Sequence, residues 1–230
     1  MPTINDDEFG AITVRRSARA TQVRLRVAPD GTLRASMPVY APLFLLKRLV
    51  KSSRPQLRKM LAQAQPVTAY TDGQQIGKSH TLIVKRGSAK LNATRNKQHI
   101  IVELPEGYSL SDAEVVRKVR DASLTALRVE AKSYLPKRLQ YLANQLGFRY
   151  NKVRFSHASS RWGSCSSEGT ISLNIALMKL PFELIDYVLI HELAHTVELN
   201  HSEEFWKLVA IGDPLYKQHR KVLKGEAPSI

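Results

Sequence analysis

The chain has 230 residues, 43% of them hydrophobic, and a formal net charge of +15. That suits one large domain or two small ones with a real core and excludes a disordered chain. No stretch nears the ~18 uninterrupted apolar residues of a membrane span, the acidic start lacks a secretory pattern, and the single cysteine, Cys165, leaves no internal disulfide. A cytoplasmic protein with no membrane partner is the expectation. Residues 1–150 carry 26 Lys and Arg against 11 Asp and Glu, whereas residues 151–230 carry nine of each. The excess suggests a polyanionic partner, such as a nucleotide or nucleic acid, for the N-terminal region.

Residues 12–16 and 22–28 alternate, with Val23, Leu25 and Val27 on one side and Arg24 and Arg26 on the other. Period two predicts strands with one buried and one basic, wet face. Asp30-Gly31 predicts a hairpin turn, and the return strand over 32–37 stops at Pro38 and Pro42. Leu45, Leu46, Leu49, Val50, Leu57, Met60 and Leu61 predict helix over 43–65, split at Arg54-Pro55 because proline disfavours helix at the residue before it. Its polar face carries Lys47, Arg48, Lys51, Arg54, Arg58 and Lys59. Short strands follow near 81–85 and 99–103, with the basic segment 86–97 as an exposed hairpin tip.

Ser111-Asp-Ala-Glu114 fits a capping box. It opens a helical pattern to about Leu146, with Pro136 as a break and Gly147 as a stop. Strands are predicted over 153–157, 161–166 and 170–176, with a turn at 166–169. A helix then runs over about 182–199 with Pro181 at its first position, and further helices cover 202–210 and 213–223. No repeat of fixed period is visible.

The chemistry lies in His191-Glu192-Leu193-Ala194-His195. On a helix, residues i and i+4 lie almost above one another, so His191 and His195 face one point at a separation that a zinc ion bridges. Glu192 stands beside that face, able to act on a metal-bound water without ligating the metal. His201 is the leading third ligand, provided the helix ends first, and Leu199-Asn200 is the predicted turn. Glu198, Glu203 and Glu204 are the acidic alternatives, Glu198 the strongest. Ser202 is a good N-cap for the next helix.

Ser160-Arg161-Trp162-Gly163-Ser164-Cys165 reads in two ways. It is either an edge strand of the cleft, with Arg161, Trp162, Gly163 and Ser164 meeting substrate, or a core strand with Trp162 packed inward. Cys165 reads as a small buried residue rather than a ligand. His80, His99, His157 and His219 show no ligand spacing.

This block, followed by Ile171-Ser-Leu-Asn174, Asp186-Tyr-Val188, the His191–His195 motif, Asn200-His201-Ser202 and Phe205-Trp206, closely resembles the YgjP-like zinc metallopeptidase family, related to SprT-like and WLM-type zincin proteases. The resemblance implies an α+β fold: a zincin-like catalytic domain over 111–230, small sheet plus helices, after a basic β-rich region over 1–110 with a helical insert near 43–65. It implies one zinc ion per chain, held by His191, His195 and His201, and Glu192 as general base toward a peptide or protein substrate. The His195–His201 spacing matches metzincins, but Glu198 stands where those carry glycine. Two other readings stay open: hydrolysis of a nucleoside triphosphate at the same metal, and a nucleic-acid-associated SprT-like protease or DNA-binding protein.

Overall fold

Alternating apolar residues build a four-stranded sheet from β1 (Thr3–Asp6), β2 (Gly10–Ser17), β3 (Arg24–Val27) and β4 (Leu33–Pro38), in the order β1-β2-β4-β3. The inner pair β2/β4 is parallel and the outer pairs are antiparallel. Residues 3–27, 32–63 and 70–228 are described by this computed structural model. The predicted Asp30-Gly31 turn and the end of the helix at 64–65 lie outside them. Helices α1 (Leu43–Ser52) and α2 (Arg54–Gln63) part at the predicted Arg54-Pro55. Leu46, Val50 and Leu57 close one core with Ile12, Val14, Leu33, Ala35 and Met37. The basic face of α2 is partly neutralised, because Arg54 pairs with Asp6 and Glu8, and Arg58 with Glu8.

β5 (Gln75–Ile76), β6 (His80–Arg86), β7 (Asn92–Asn96) and β8 (His99–Leu104) form a second sheet, ordered β5-β6-β8-β7. Its inner pair is again parallel and its outer pairs antiparallel. The connectivity of the first sheet thus recurs with no sequence repeat to announce it. β7 replaces the expected hairpin tip. Only its Ala93 is half-buried, so it lacks the alternation that marks a strand, and its backbone pairing with β8 holds it.

The chain divides into Met1–Ala69 and Tyr70–Ile230, not at 110. The reason is packing. Ile76, Leu82, Ile100, Val102 and Leu104 share a core with Val115, Val119 and Leu127 of α3 (Ala113–Leu146). The expected capping box does not form. Asp112 is the N-cap, and its carboxylate turns back to accept the Ser109 N–H at 2.8 Å. Pro136 does not break α3 either. Ala131, Leu135, Leu139 and Leu142 are buried around it, and the carbonyl it deprives of a donor belongs to exposed Lys132, where water serves. Gly147 ends the helix in the left-handed conformation, φ 75°, as predicted.

A third sheet follows: β9 (Lys152–Ser156), β10 (Gly163–Cys165) and β11 (Thr170–Asn174), ordered β10-β11-β9. β10 is an edge strand. A 3-10 turn over Ile175–Lys179 leads to α4 (Phe182–Ala194), whose N-cap is Pro181, one position earlier than expected. Arg138 of α3 forks onto Asp186 of α4 at 2.8 and 2.6 Å and holds the two helices together. α5 (Glu203–Gly212) and α6 (Tyr216–Lys224) complete the chain. Among the described residues, no helix is long and apolar enough to cross a membrane.

Candidate metal centre

α4 carries Leu189, Ile190, Leu193 and Ala194 into the core, and this burial fixes the face on which His191 stands. The helix stops at Ala194, with His195 as its C-cap, earlier than the expected Leu199-Asn200 turn. Ala194 ends it with its carbonyl, which accepts the N–H groups of Val197 and Glu198. The chain then reverses, and Ser202 caps α5 by accepting the Phe205 N–H. This reversal brings His201 back over α4.

The ligand atoms of His191, His195 and His201 all lie within 4.8 Å of one another. The Nε2 atoms of His191 and His201 are 3.2 Å apart. Two bare imidazole nitrogens repel at that distance, whereas two ligands of a tetrahedral zinc stand about 3.3 Å apart. His195 donates its Nδ1–H to the Glu198 carbonyl at 3.1 Å, which leaves Nε2 free as a ligand. The Glu198 carboxylate accepts the Asn200 N–H and takes no part in the cluster. Glu203 and Glu204 pair with Lys207.

Glu192 is 5% exposed, and its Oε2, like Nδ1 of His191, is buried with no protein partner. Burial pushes its carboxyl up to about 8 against the opposing pull of Arg161. Burial, then the charges of His195, His201 and Arg220, bring His191 down to about 3, so its imidazole is neutral, the form that binds metal. His201 is shifted down for the same kind of reason. A donor set of three imidazoles beside an unpartnered carboxylate fits a metal of the zinc type.

The segment 160–165 joins this site. Gly163 lies so close to Glu192 that a Cβ there would stand 2.5 Å from Oε1 and 2.8 Å from Cδ. Arg161 is exposed, with its charge near Glu192. Its carbonyl and that of Trp162 are held by Asn174, through Nδ2 at 2.9 Å and the backbone N–H at 2.9 Å. Trp162 packs on the core, and Ser164 lies opposite Ser172 on an edge strand. Cys165 is half-buried, and burial, then the Glu192 charge, push its thiol up to about 11. It stays a thiol at neutral pH and is not part of the histidine cluster.

Sequence reasoning missed the aromatic wall. Phe205 is fully buried, with its ring 4.4 to 4.9 Å from all three imidazoles. Trp206 stacks on His201 and on Tyr216, and Arg220 lies over its ring at 4.5 Å. Phe205-Trp206, one turn past the Ser202 cap, is the signal that could have found the wall. Tyr216 and Arg220 sit in an ordinary amphipathic helix with no motif.

Three imidazoles converge around one point, with a buried carboxylate and a strand edge beside them, an arrangement that could hold a metal ion. The sequence model of the YgjP-like metallopeptidase domain matches residues 21–226. The chain therefore belongs to the YgjP-like metallopeptidase family. Among solved structures, the crystal structure of the metallopeptidase zymogen of Pyrococcus abyssi abylysin is similar over 39% of this chain and 92% of that one, with 29% identity and a TM-score of 0.36. A comparison with curated proteins finds no match.

Proposed function

We propose that the chain is a zinc-dependent metallopeptidase whose metal is held by His191, His195 and His201 and whose general base is Glu192. The observation that carries this reading is the buried, unpartnered Oε2 of Glu192 beside the three converging imidazoles. When bound, zinc supplies Lewis acidity toward both water and the scissile carbonyl. Glu192 takes a proton from the attacking water at Oε2 and delivers it to the leaving amine. Glu198, through its carbonyl, holds the His195 ring in the ligating tautomer. The outer edge of β10 supports an extended substrate, which adds as a strand through main-chain hydrogen bonds while Gly163 keeps the approach to Glu192 open.

Metal analysis and peptide hydrolysis on the same preparations test this. Wild type is expected to hold one zinc per chain and to lose hydrolysis on chelation. Glu192→Gln should keep the metal and lose activity by about 10²–10⁴-fold, the usual worth of a general base. Full activity in Glu192→Gln removes the base assignment. Undiminished zinc in His201→Ala removes His201 from the ligand set.

A further inference from the structure

The second unit carries an open pocket of about 570 Å³ to which none of the residues of the metal centre contributes. Its wall includes Phe182, at the opposite end of α4 from the histidines, and Met178 of the 3-10 turn that precedes α4. At its rim stand three cations, Lys78, Arg95 and Lys97. None of the three has a carboxylate partner among the described residues.

Beneath them lies a buried polar relay that the metal centre does not use. Glu130 of α3 is 6% exposed and His80 is 2% exposed. The Glu130 carboxylate accepts the N–H groups of Lys78 and Ser79 at 2.7 and 2.8 Å and the Ser79 hydroxyl at 2.8 Å. It also accepts Nδ1–H of His80 at 2.6 Å. Gly77, at φ +69°, wraps so tightly over this carboxylate that any Cβ there would strike Oε2. With its proton on Nδ1, His80 offers Nε2 as an acceptor, and Arg95 donates Nε–H to it at 2.9 Å. An otherwise exposed arginine is thereby held by one edge, and its two terminal nitrogens remain for a ligand.

Lys97 adds a separate sign. It is the one non-glycine residue with positive φ, 51°, among the described residues. Glycine or asparagine ordinarily fills such a turn position. Keeping a lysine there sets its ammonium at the rim at the expense of backbone comfort. The remaining wall is apolar and aromatic: Val129, Met178, Tyr134 and Phe182, with the two rings 5.4 Å apart and Lys78 Nζ 4.4 Å over Phe182.

We propose that this pocket binds an oxyanion carried on an apolar or aromatic body, the anion gripped by Arg95, Lys97 and Lys78 and the body lying on Tyr134 and Phe182. The anion is a phosphate monoester or a carboxylate, which share this recognition chemistry. The site stands independently of the peptidase reading.

Amide-resolved NMR titration of the full chain at constant ionic strength tests it, with phenyl phosphate in one arm and phenylacetate in the other. Saturable shifts confined to Lys78, Ser79, Arg95, Lys97 and Gln98 are expected with at least one probe, and the arm that saturates names the source. Arg95→Gln and Lys97→Gly should each weaken binding roughly tenfold, the worth of one charge-assisted contact. Lys97→Gly also relaxes the turn, so a loss of binding there is not a loss of fold. Lys90→Gln, an equal charge change outside the pocket, should stay within a factor of two. No saturation by about 10 mM in either arm overturns the proposal. So does a Lys90→Gln loss equal to that of Arg95→Gln, which would mark general charge attraction.

Discussion

Gly163 occupies a position where only a hydrogen fits, and the constraint comes from Glu192 rather than from the strand's own backbone. An added methyl group meets Oε1, Cδ and Cγ together, at 2.5, 2.8 and 2.8 Å. A carboxylate buried to 5% exposure has little room to swing aside. Gly163→Ala should therefore cost about 1–3 kcal/mol of stability, the usual penalty for overpacking. It should also reduce peptide hydrolysis at unchanged metal content, because the displaced carboxylate carries the proposed base, Oε2. Urea unfolding, metal analysis and kinetics on the one variant check this. Wild-type stability together with wild-type turnover would mean that the strand does not press on Glu192. At this scale the histidine pair of the cluster was legible because it is local: i, i+4 spacing on a helix puts His191 and His195 on one face. The Gly163–Glu192 contact and the stacking of Tyr216 on Trp206 join residues distant in sequence, and no spacing rule reaches them.

Among the elements, helices were legible by apolar period and strands only where one face is buried. β2 and β4 alternate and were found, whereas β7 is exposed nearly throughout and was read as a loop. Proline misled in one place and guided in another. It parts α1 from α2 at Arg54-Pro55, yet α3 runs through Pro136. The difference is burial: among its described side chains α2 has a single fully buried apolar one, Leu57, whereas α3 buries one on almost every turn. Tertiary packing thus overrides a local penalty of about 3 kcal/mol. Relieving that penalty should show. Pro136→Ala is expected to raise stability by about 1–2 kcal/mol, the helix gain less the unfolded-state entropy that proline removes. The urea midpoint should rise with an unchanged slope. A lower midpoint would mean that the proline ring, half-buried on α3, contributes more by packing than it costs in backbone.

For the whole molecule, the division of the chain follows its cores. Charge and strand content suggested a basic β-rich region ending near 110, but basic residues lie in both units. Residues 1–69 carry 12 Lys and Arg against four Asp and Glu, and residues 70–150 carry 14 against seven. Charge marks surfaces, and surfaces do not reveal which strands share an interior. The two apolar clusters do. One is built wholly from residues up to Leu61 and the other wholly from Tyr70 onward. In the second, β6 and β8 bring Leu82, Ile100, Val102 and Leu104 against Val115, Val119, Ala122 and Leu127 of α3. A fragment starting at residue 70 therefore keeps an intact core around the histidines, whereas one starting at 111 strips one face of α3 bare. The first is expected to unfold in a single cooperative transition and to bind zinc. The second should aggregate or lose fixed tertiary packing, as expected when several fully buried side chains, each worth roughly 1.5–3 kcal/mol, are returned to water. Near-ultraviolet circular dichroism, denaturant titration and bound zinc on both fragments decide between the boundaries. A cooperative, metal-binding fragment 111–230 would restore the boundary at 110, and the second sheet would then be an appendage to the metal centre rather than part of its core.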